Sequence, residues 1–191
     1  MRIVGGTHRG LTLAEVGAGD AAAHLRPTSD RVREALFNML TQGKWGDLVQ
    51  GQRVLDLFAG TGALGLEALS RGASTVTLVD DGAAARALIR TNIEKLRAMG
   101  TTRLYRRNAT DLGPNRGPAF GLIFLDPPYG MGLGAKALTS ALTNDWIAPA
   151  ATLVWEENAP QLAPQGFETL DQRRYGETWI TLLRAPHPSS V

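Results

Sequence analysis

Apolar positions in this chain follow two different periods. After Arg26-Pro27-Thr28-Ser29-Asp30, residues Val32, Leu36, Met39 and Leu40 recur at helical spacing. The capping side chains before them predict a helix start, with that face turned inward. From Arg53 onward, short apolar runs alternate with helical patterns. Strands are predicted over 53–58, 75–79, 102–106, 122–125 and 152–155, and helices over 63–71, 83–99 and about 135–142. The end of the chain, 167–175 and 178–183 around Gly176-Glu177, predicts an antiparallel hairpin. Near the start, Arg2-Ile3-Val4 and Leu11-Thr12-Leu13 predict an extended pair, joined by a flexible basic loop from Gly5 to Gly10. Residues 14–24, rich in small side chains, predict a mobile connection. Alternating β and α units imply an α/β domain with a mostly parallel, doubly wound sheet covered on both faces. Such sheets bind ligands beyond the carboxyl ends of their strands, so candidate motifs are judged by whether they fall there.

Two motifs do. The first is Asp56-Leu57-Phe58-Ala59-Gly60-Thr61-Gly62-Ala63-Leu64-Gly65, which leaves the first core strand and opens a helix. Its glycines satisfy G-x-G-x-x-G, and Asp80 ends the next strand where an acid can accept both hydroxyls of a ribose. Asp56 bears on the choice of nucleotide. A carboxylate there repels a pyrophosphate but favours S-adenosyl-L-methionine (SAM), which carries a positive sulfonium and a positive amine. The second motif, Asp126-Pro127-Pro128-Tyr129, ends the strand predicted beside that loop. An exocyclic amine is a poor nucleophile because its lone pair is delocalised into the base. Hydrogen bonds from its N–H groups to the Asp126 carboxylate and the Pro127 carbonyl would favour a pyramidal nitrogen. Tyr129 could stack on the base and fix its plane. A dinucleotide oxidoreductase has no use for this second motif.

Composition adds limits. The 191 residues suit one domain, and the absence of cysteine removes disulfides, thiolate metal sites and a cysteine nucleophile, which fits a reducing compartment. Three histidines argue against a multi-histidine metal site, and no apolar run approaches a membrane span or a secretory signal. The net charge of +2 hides a bias, since 17 of the 20 basic residues are arginine, the cation suited to phosphate and base contact. Arg86, Arg90 and Arg97 recur at helical spacing and read as a solvated face; Arg106 and Arg107 end a strand at the ligand edge and are candidates for nucleic-acid contact. His24 and His187 read as surface residues and Trp155 and Trp179 as packing. Glu156 and Glu157, at a strand end, receive no role.

With both motifs in place the chain resembles the class I SAM-dependent amino-methyltransferases. More narrowly it is similar to the bacterial 16S rRNA guanine-N2 methyltransferases of the RsmD type. Arg2-Ile3-Val4-Gly5-Gly6 and the segment from Arg26 to Glu34 with Leu36-Phe37-Asn38 carry the narrower likeness, together with Phe58 to Gly72. The resemblance implies a Rossmann-like class I fold with a seven-stranded sheet and a C-terminal antiparallel hairpin. It implies residues 1–25 as an RNA-contacting hairpin and linker, and 26–191 as the methyltransferase domain. It places Thr28 and Arg31 near the methionine end of the cofactor, Asp56 at its amino-acid part, and Phe58, Ala59, Gly60, Thr61 and Gly62 along it. Asp80 or Asp81 would hold the ribose, and Asn108 with Ala109 the adenine. Asp126, Pro127, Pro128 and Tyr129 would hold the target guanine, while Arg2, His8 and Arg9 would contact RNA. The implied partner is 16S rRNA within a 30S particle, met by a cytoplasmic monomer without metal or membrane contact. Two alternatives stay open: methylation of DNA adenine N6 or of a protein glutamine, and a SAM- or RNA-binding assembly factor. The intact Asp126 and Tyr129 argue against the last.

Overall fold

The computed structural model describes residues 1–17 and 28–188. The elements after the N-terminal segment run α1 (Asp30–Gln42), β1 (Arg53–Leu57), α2 (Ala63–Ser70), β2 (Thr75–Val79), α3 (Ala83–Lys95), β3 (Thr102–Tyr105) and β4 (Phe120–Leu125). They continue with α4 (Leu133–Thr143), β5 (Ile147–Glu157), β6 (Glu168–Tyr175) and β7 (Thr178–Arg184). The seven strands form one sheet in the order β3-β2-β1-β4-β5-β7-β6. The first five in that order are parallel, and β7 turns antiparallel against β5 and β6. This is the Rossmann-like class I methyltransferase architecture, and the strand order reverses between β1 and β4.

Side-chain alternation divides the interior into two layers. Leu55 and Leu57 of β1 join Ile123, Leu125 and Leu153 under α4, through Ala137, Leu138 and Ala141. Val54 faces the other way with Leu122, Phe124 and Val154, and is covered by Leu36, Phe37 and Leu40 of α1, Leu66 of α2, and Ile89 and Ile93 of α3. Ile3 and Leu13 belong to this second layer. Asp56 shares the face of Val54, so a carboxylate is buried among apolar residues just before the ligand edge.

Several boundaries differ from the sequence expectation. The helix predicted to Met99 ends at Lys95, because Arg97 adopts φ 52° and Ala98 N–H closes back on the Ile93 carbonyl. The strand predicted over 152–155 begins at Ile147 and passes a left-handed residue, Ala150 (φ 58°), where its register with β4 shifts. Local propensity does not reveal this, since the pairing partner decides it.

The N-terminal loop is the largest correction. Arg2 bridges Thr12 in an antiparallel pair, with Ile3 N–H bonded to the Leu11 carbonyl and Leu13 N–H to that of Met1. Instead of a free basic loop, Gly6–His8 forms a 3-10 turn docked on α2. Val4 and Gly5 donate their N–H groups to Glu67, His8 N–H donates to Ser70 Oγ, and Ser70 Oγ donates to the Gly5 carbonyl. Of the connection expected over 14–24, residues 18–24 lie outside the described ones, as do Arg26 and Pro27 of the expected helix start. The helix begins as expected with Ser29, whose Oγ accepts from Val32 N–H.

Candidate active site

The loop between β1 and α2 is built by close approach. Gly62 caps α2 in the left-handed region (φ 80°), where an added Cβ would also lie 3.1 Å from Leu78 Cδ2. Three residues on, Gly65 N–H donates to Asp56 Oδ2 at 2.9 Å, and a Cβ there would meet Val76 Cγ1 at 2.8 Å. Gly65 is therefore needed for α2 to rest on the acid. Phe58 takes φ 59°, a left-handed conformation rare for an aromatic residue, and turns the chain into the ligand edge. Gly60 N–H donates to Asp80 Oδ2 and Gly82 N–H to Asp80 Oδ1, so Asp80 orders the ends of two strands at once.

Two cavities meet at this edge. The larger, about 700 Å³, is lined by Thr28, Asp56, Phe58, Ala59, Gly60, Thr61 and Asp80, and by Asp126, Pro127, Pro128 and Tyr129. The smaller, about 190 Å³, is lined by Asp81, Arg107, Asn108 and Ala109 and shares Phe58, Asp80 and Pro128 with the first. Asp80 thus stands at the junction and Asp81 on one side of it. The Oδ1 of Asn108 closes on Thr110 N–H and Oγ1, which leaves its Nδ2 to donate. Gly62 and Arg31 are not among the lining residues; Gly62 shapes the loop, and Arg31 is exposed on the first turn of α1.

The electrostatics are those of a site short of positive charge. Burial pushes the Asp56 carboxyl up to about 8, with the Asp80 charge acting in the same direction against the Gly65 hydrogen bond. Asp126 is pushed well above the ordinary carboxylate range, first by burial and then by Glu156, Asp56 and Glu157. Asp80 is raised as well, mainly by burial. Well below pH 4 both the folded and the unfolded chain hold the Asp56 proton. As pH rises toward 8 the unfolded chain releases a proton that the folded chain keeps, so stability falls across that window and levels off above it. Asp56→Asn, whose amide oxygen can still accept from Gly65, is expected to remove this decline. Its melting temperature should exceed that of the unaltered protein at pH 8 and approach it near pH 4; equal melting curves at both pH values would refute the assignment.

Residues 1–184 match the family model described as "Conserved hypothetical protein 95". "Ribosomal RNA small subunit methyltransferase D" of Escherichia coli is 38% identical over 165 residues, spanning 86% of this chain and 78% of that protein. The protein of the same name from Haemophilus influenzae is 31% identical over 181 residues, spanning 92% and 89%. The solved structure of yhhF from Escherichia coli superposes with a TM-score of 0.83 at 32% identity, covering 98% of this chain and 99% of that one. The chain belongs to the RsmD-type class I methyltransferase family.

Within this RsmD-type chain, several contacts escaped sequence reasoning. Glu156, given no role above, lines the larger cavity and accepts from Thr28 Oγ1 at 2.7 Å and from Tyr129 OH at 2.9 Å. Glu157 accepts from Gly130 N–H and steadies the turn after the Pro-Pro-Tyr motif. Tyr175 and Thr178, at the tip of the β6–β7 hairpin, close the far wall, and Thr178 Oγ1 lies 3.2 Å from Tyr129 OH. The only sequence signal for these contacts was the position of each residue at a strand end. Glu67 and Arg33 were also missed. Both are fully buried and paired at 3.3 Å, and Arg33 further reaches the Thr28 carbonyl, the Arg2 carbonyl and Asp30.

The candidate RNA residues separate. Arg2 N–H bonds Asp30 at the start of α1, and Arg106 is exposed just past β3, both at the ligand edge. Arg107 lies there too, but its Nη1 donates to the Leu112 carbonyl and its guanidinium stands over the Tyr105 and Trp146 rings. His8 contacts Ser70 and the Leu96 carbonyl, at the C-terminal ends of α2 and α3. Those helices run back from the ligand edge, so His8 and its neighbour Arg9 sit at the opposite edge of the sheet. Arg9, expected above to contact RNA, is thus held away from the ligand edge by the docking of the 3-10 turn.

Proposed function

We propose that this protein transfers a methyl group from SAM to the exocyclic N2 of a guanine in 16S rRNA, within a small-subunit ribosomal particle. Its place of action is then the bacterial cytoplasm. The observation that carries the reading is the junction of two acid-lined cavities with the Asp126-Pro127-Pro128-Tyr129 wall at the β1/β4 crossover. Membership of a family whose named relatives are rRNA methyltransferases supports it.

The residues fit such a cofactor by shape and charge. The buried Asp56 beside the glycine loop suits a cationic amino-acid end, Asp80 at the junction a ribose, and the smaller cavity with Phe58, Asn108 and Ala109 an adenine. When bound, the cofactor supplies a methyl group activated by a positive sulfur. The rest is done by the chain. Asp126 and the Pro127 carbonyl accept the N2–H bonds and localise the nitrogen lone pair, and the two prolines hold these acceptors in one geometry. The hydroxyl of Tyr129 is anchored by Glu156 and Thr178, which fixes its ring for stacking on the base. The target must be unpaired or flipped out, because a paired N2 lies in the minor groove. Arg2, Arg31 and Arg106 would meet phosphates around the site, and His8 and Arg9 a more distant part of the same particle.

Incubation with tritiated SAM tests the reading. Small-subunit particles lacking the modification, naked 16S rRNA, DNA and ribosomal proteins would be compared as acceptors. Label is expected in a guanine of the rRNA, at N2; label confined to DNA or protein would overturn it.

A further inference from the structure

The reading above leaves one chemical need unmet. On its Watson–Crick edge guanine presents two adjacent donors, N1–H and N2–H, whereas adenine presents a lone pair at N1. Asp126 and Pro127 account for the amine alone. A site that tells guanine from other purines requires a further acceptor next to Asp126.

The register of the sheet supplies one. Leu125 of β4 pairs with Trp155 of β5, so Asp126 and Glu156 come next on neighbouring strands, with side chains on the same face. Glu156 is 4% exposed and lines the cavity that Asp126 lines. Thr28 Oγ1 donates to one of its oxygens and Tyr129 OH to the other, at 2.7 and 2.9 Å. Each oxygen keeps a second lone pair, so the group is held in place while still able to accept. The two hydroxyls come from the start of α1 and from the motif that would stack the base, which ties the carboxylate to both walls of the site.

We propose that Glu156 is the specificity-determining acceptor for guanine, taking N1–H while Asp126 takes an N2–H. This rests on the guanine-N2 reading and extends it to a residue outside the Pro-Pro-Tyr motif. Two adjacent carboxylates repel one another when both are ionised, and a base edge with two adjacent donors compensates both. A purine with a lone pair at N1 would face Glu156 with no proton between them, setting two acceptors against each other in a buried site.

The test uses small-subunit particles carrying guanine, 2-aminopurine or 6-thioguanine at the acceptor position, and the full-length protein. 2-Aminopurine keeps the amine but has a lone pair at N1; 6-thioguanine keeps N1–H and weakens the acceptor at position 6. The unaltered protein is expected to methylate 6-thioguanine within severalfold of guanine, and 2-aminopurine on the order of 100-fold more slowly or worse. In Glu156→Gln, whose amide can donate to an N1 lone pair, the guanine to 2-aminopurine ratio should fall roughly tenfold or more. Cofactor binding and melting temperature should stay near those of the unaltered protein. A purely structural role would lower both rates together and leave the ratio unchanged, which would overturn the proposal. So would equal rates on guanine and 2-aminopurine with the unaltered protein, a result that needs no variant. Failure of the unaltered protein to methylate guanine at all would overturn the guanine-N2 reading itself, and this inference with it.

Discussion

Asp126→Ala is expected to lower methyl transfer by roughly 10³-fold or more while cofactor binding persists, because the acceptor that orients the nucleophile is lost in the transition state. The separation of the two effects follows from geometry. Asp126 follows β4 and opens the Pro-Pro-Tyr motif, whereas the carboxylates that hold the glycine-loop amides are Asp56, at Gly65, and Asp80, at Gly60. Single-turnover assays at saturating cofactor, with cofactor affinity from calorimetry, would check it. Loss of cofactor binding in proportion to activity would make Asp126 a cofactor residue instead. The same carboxylate should set a pH limb. It accepts N–H most strongly when ionised, and burial beside Glu156, Asp56 and Glu157 raises it well above the usual range. The rate of transfer should therefore climb with pH above the ordinary carboxylate region, and lack that limb in Asp126→Asn. A rate flat from pH 5 to 8 would contradict the role.

Glu67→Ala should be the most destabilising single change in the N-terminal half. Glu67 is fully buried and accepts from Val4 N–H at 3.0 Å, Gly5 N–H at 2.9 Å, Arg33 Nε at 3.3 Å and Arg71 Nε at 2.8 Å. Its loss leaves the buried Arg33 guanidinium with Asp30 as its one acidic partner among the described residues, and strands two backbone donors. Breaking a buried pair from one side costs about 3–5 kcal/mol. For a chain of this size that corresponds to a melting temperature lower by on the order of 10 °C. The Gly5–Gly10 loop should then gain amide exchange before the rest of the sheet opens. A loss under about 1 kcal/mol would mean the hairpin docks mainly through Ile3 and Leu13.

These two residues were unequally visible in the sequence. Asp126 stood out because it follows an apolar strand and precedes two prolines, a pattern contained in four residues. Glu67 stood in a helix with nothing to distinguish it from a solvated acid. Its partners at Val4 and Gly5 are 63 and 62 residues away, and only the packing of α2 against the N-terminal pair makes them partners. Glu156 is a similar case. Its bond to Thr28 spans 128 residues, and its neighbour Asp126 reaches it through strand register alone. The docking of His8 on Ser70 and Leu96 likewise replaced the flexible loop that the glycine-rich, basic composition of the segment had suggested.

What the chain's order of residues determined by itself was the parallel core and the contents of its two central turns. A strand leading into Asp56–Gly65, and another into Asp126–Tyr129, are set by side-chain alternation, glycine conformation and proline rigidity, all acting within about ten residues of each other. Tertiary structure decided which distant groups complete those turns: Glu67 beneath the hairpin, Glu156 beside Asp126, and Tyr175 and Thr178 across the cavity. Such partners lie on different strands and helices, and a buried polar group takes whichever partner the packed layers bring within reach.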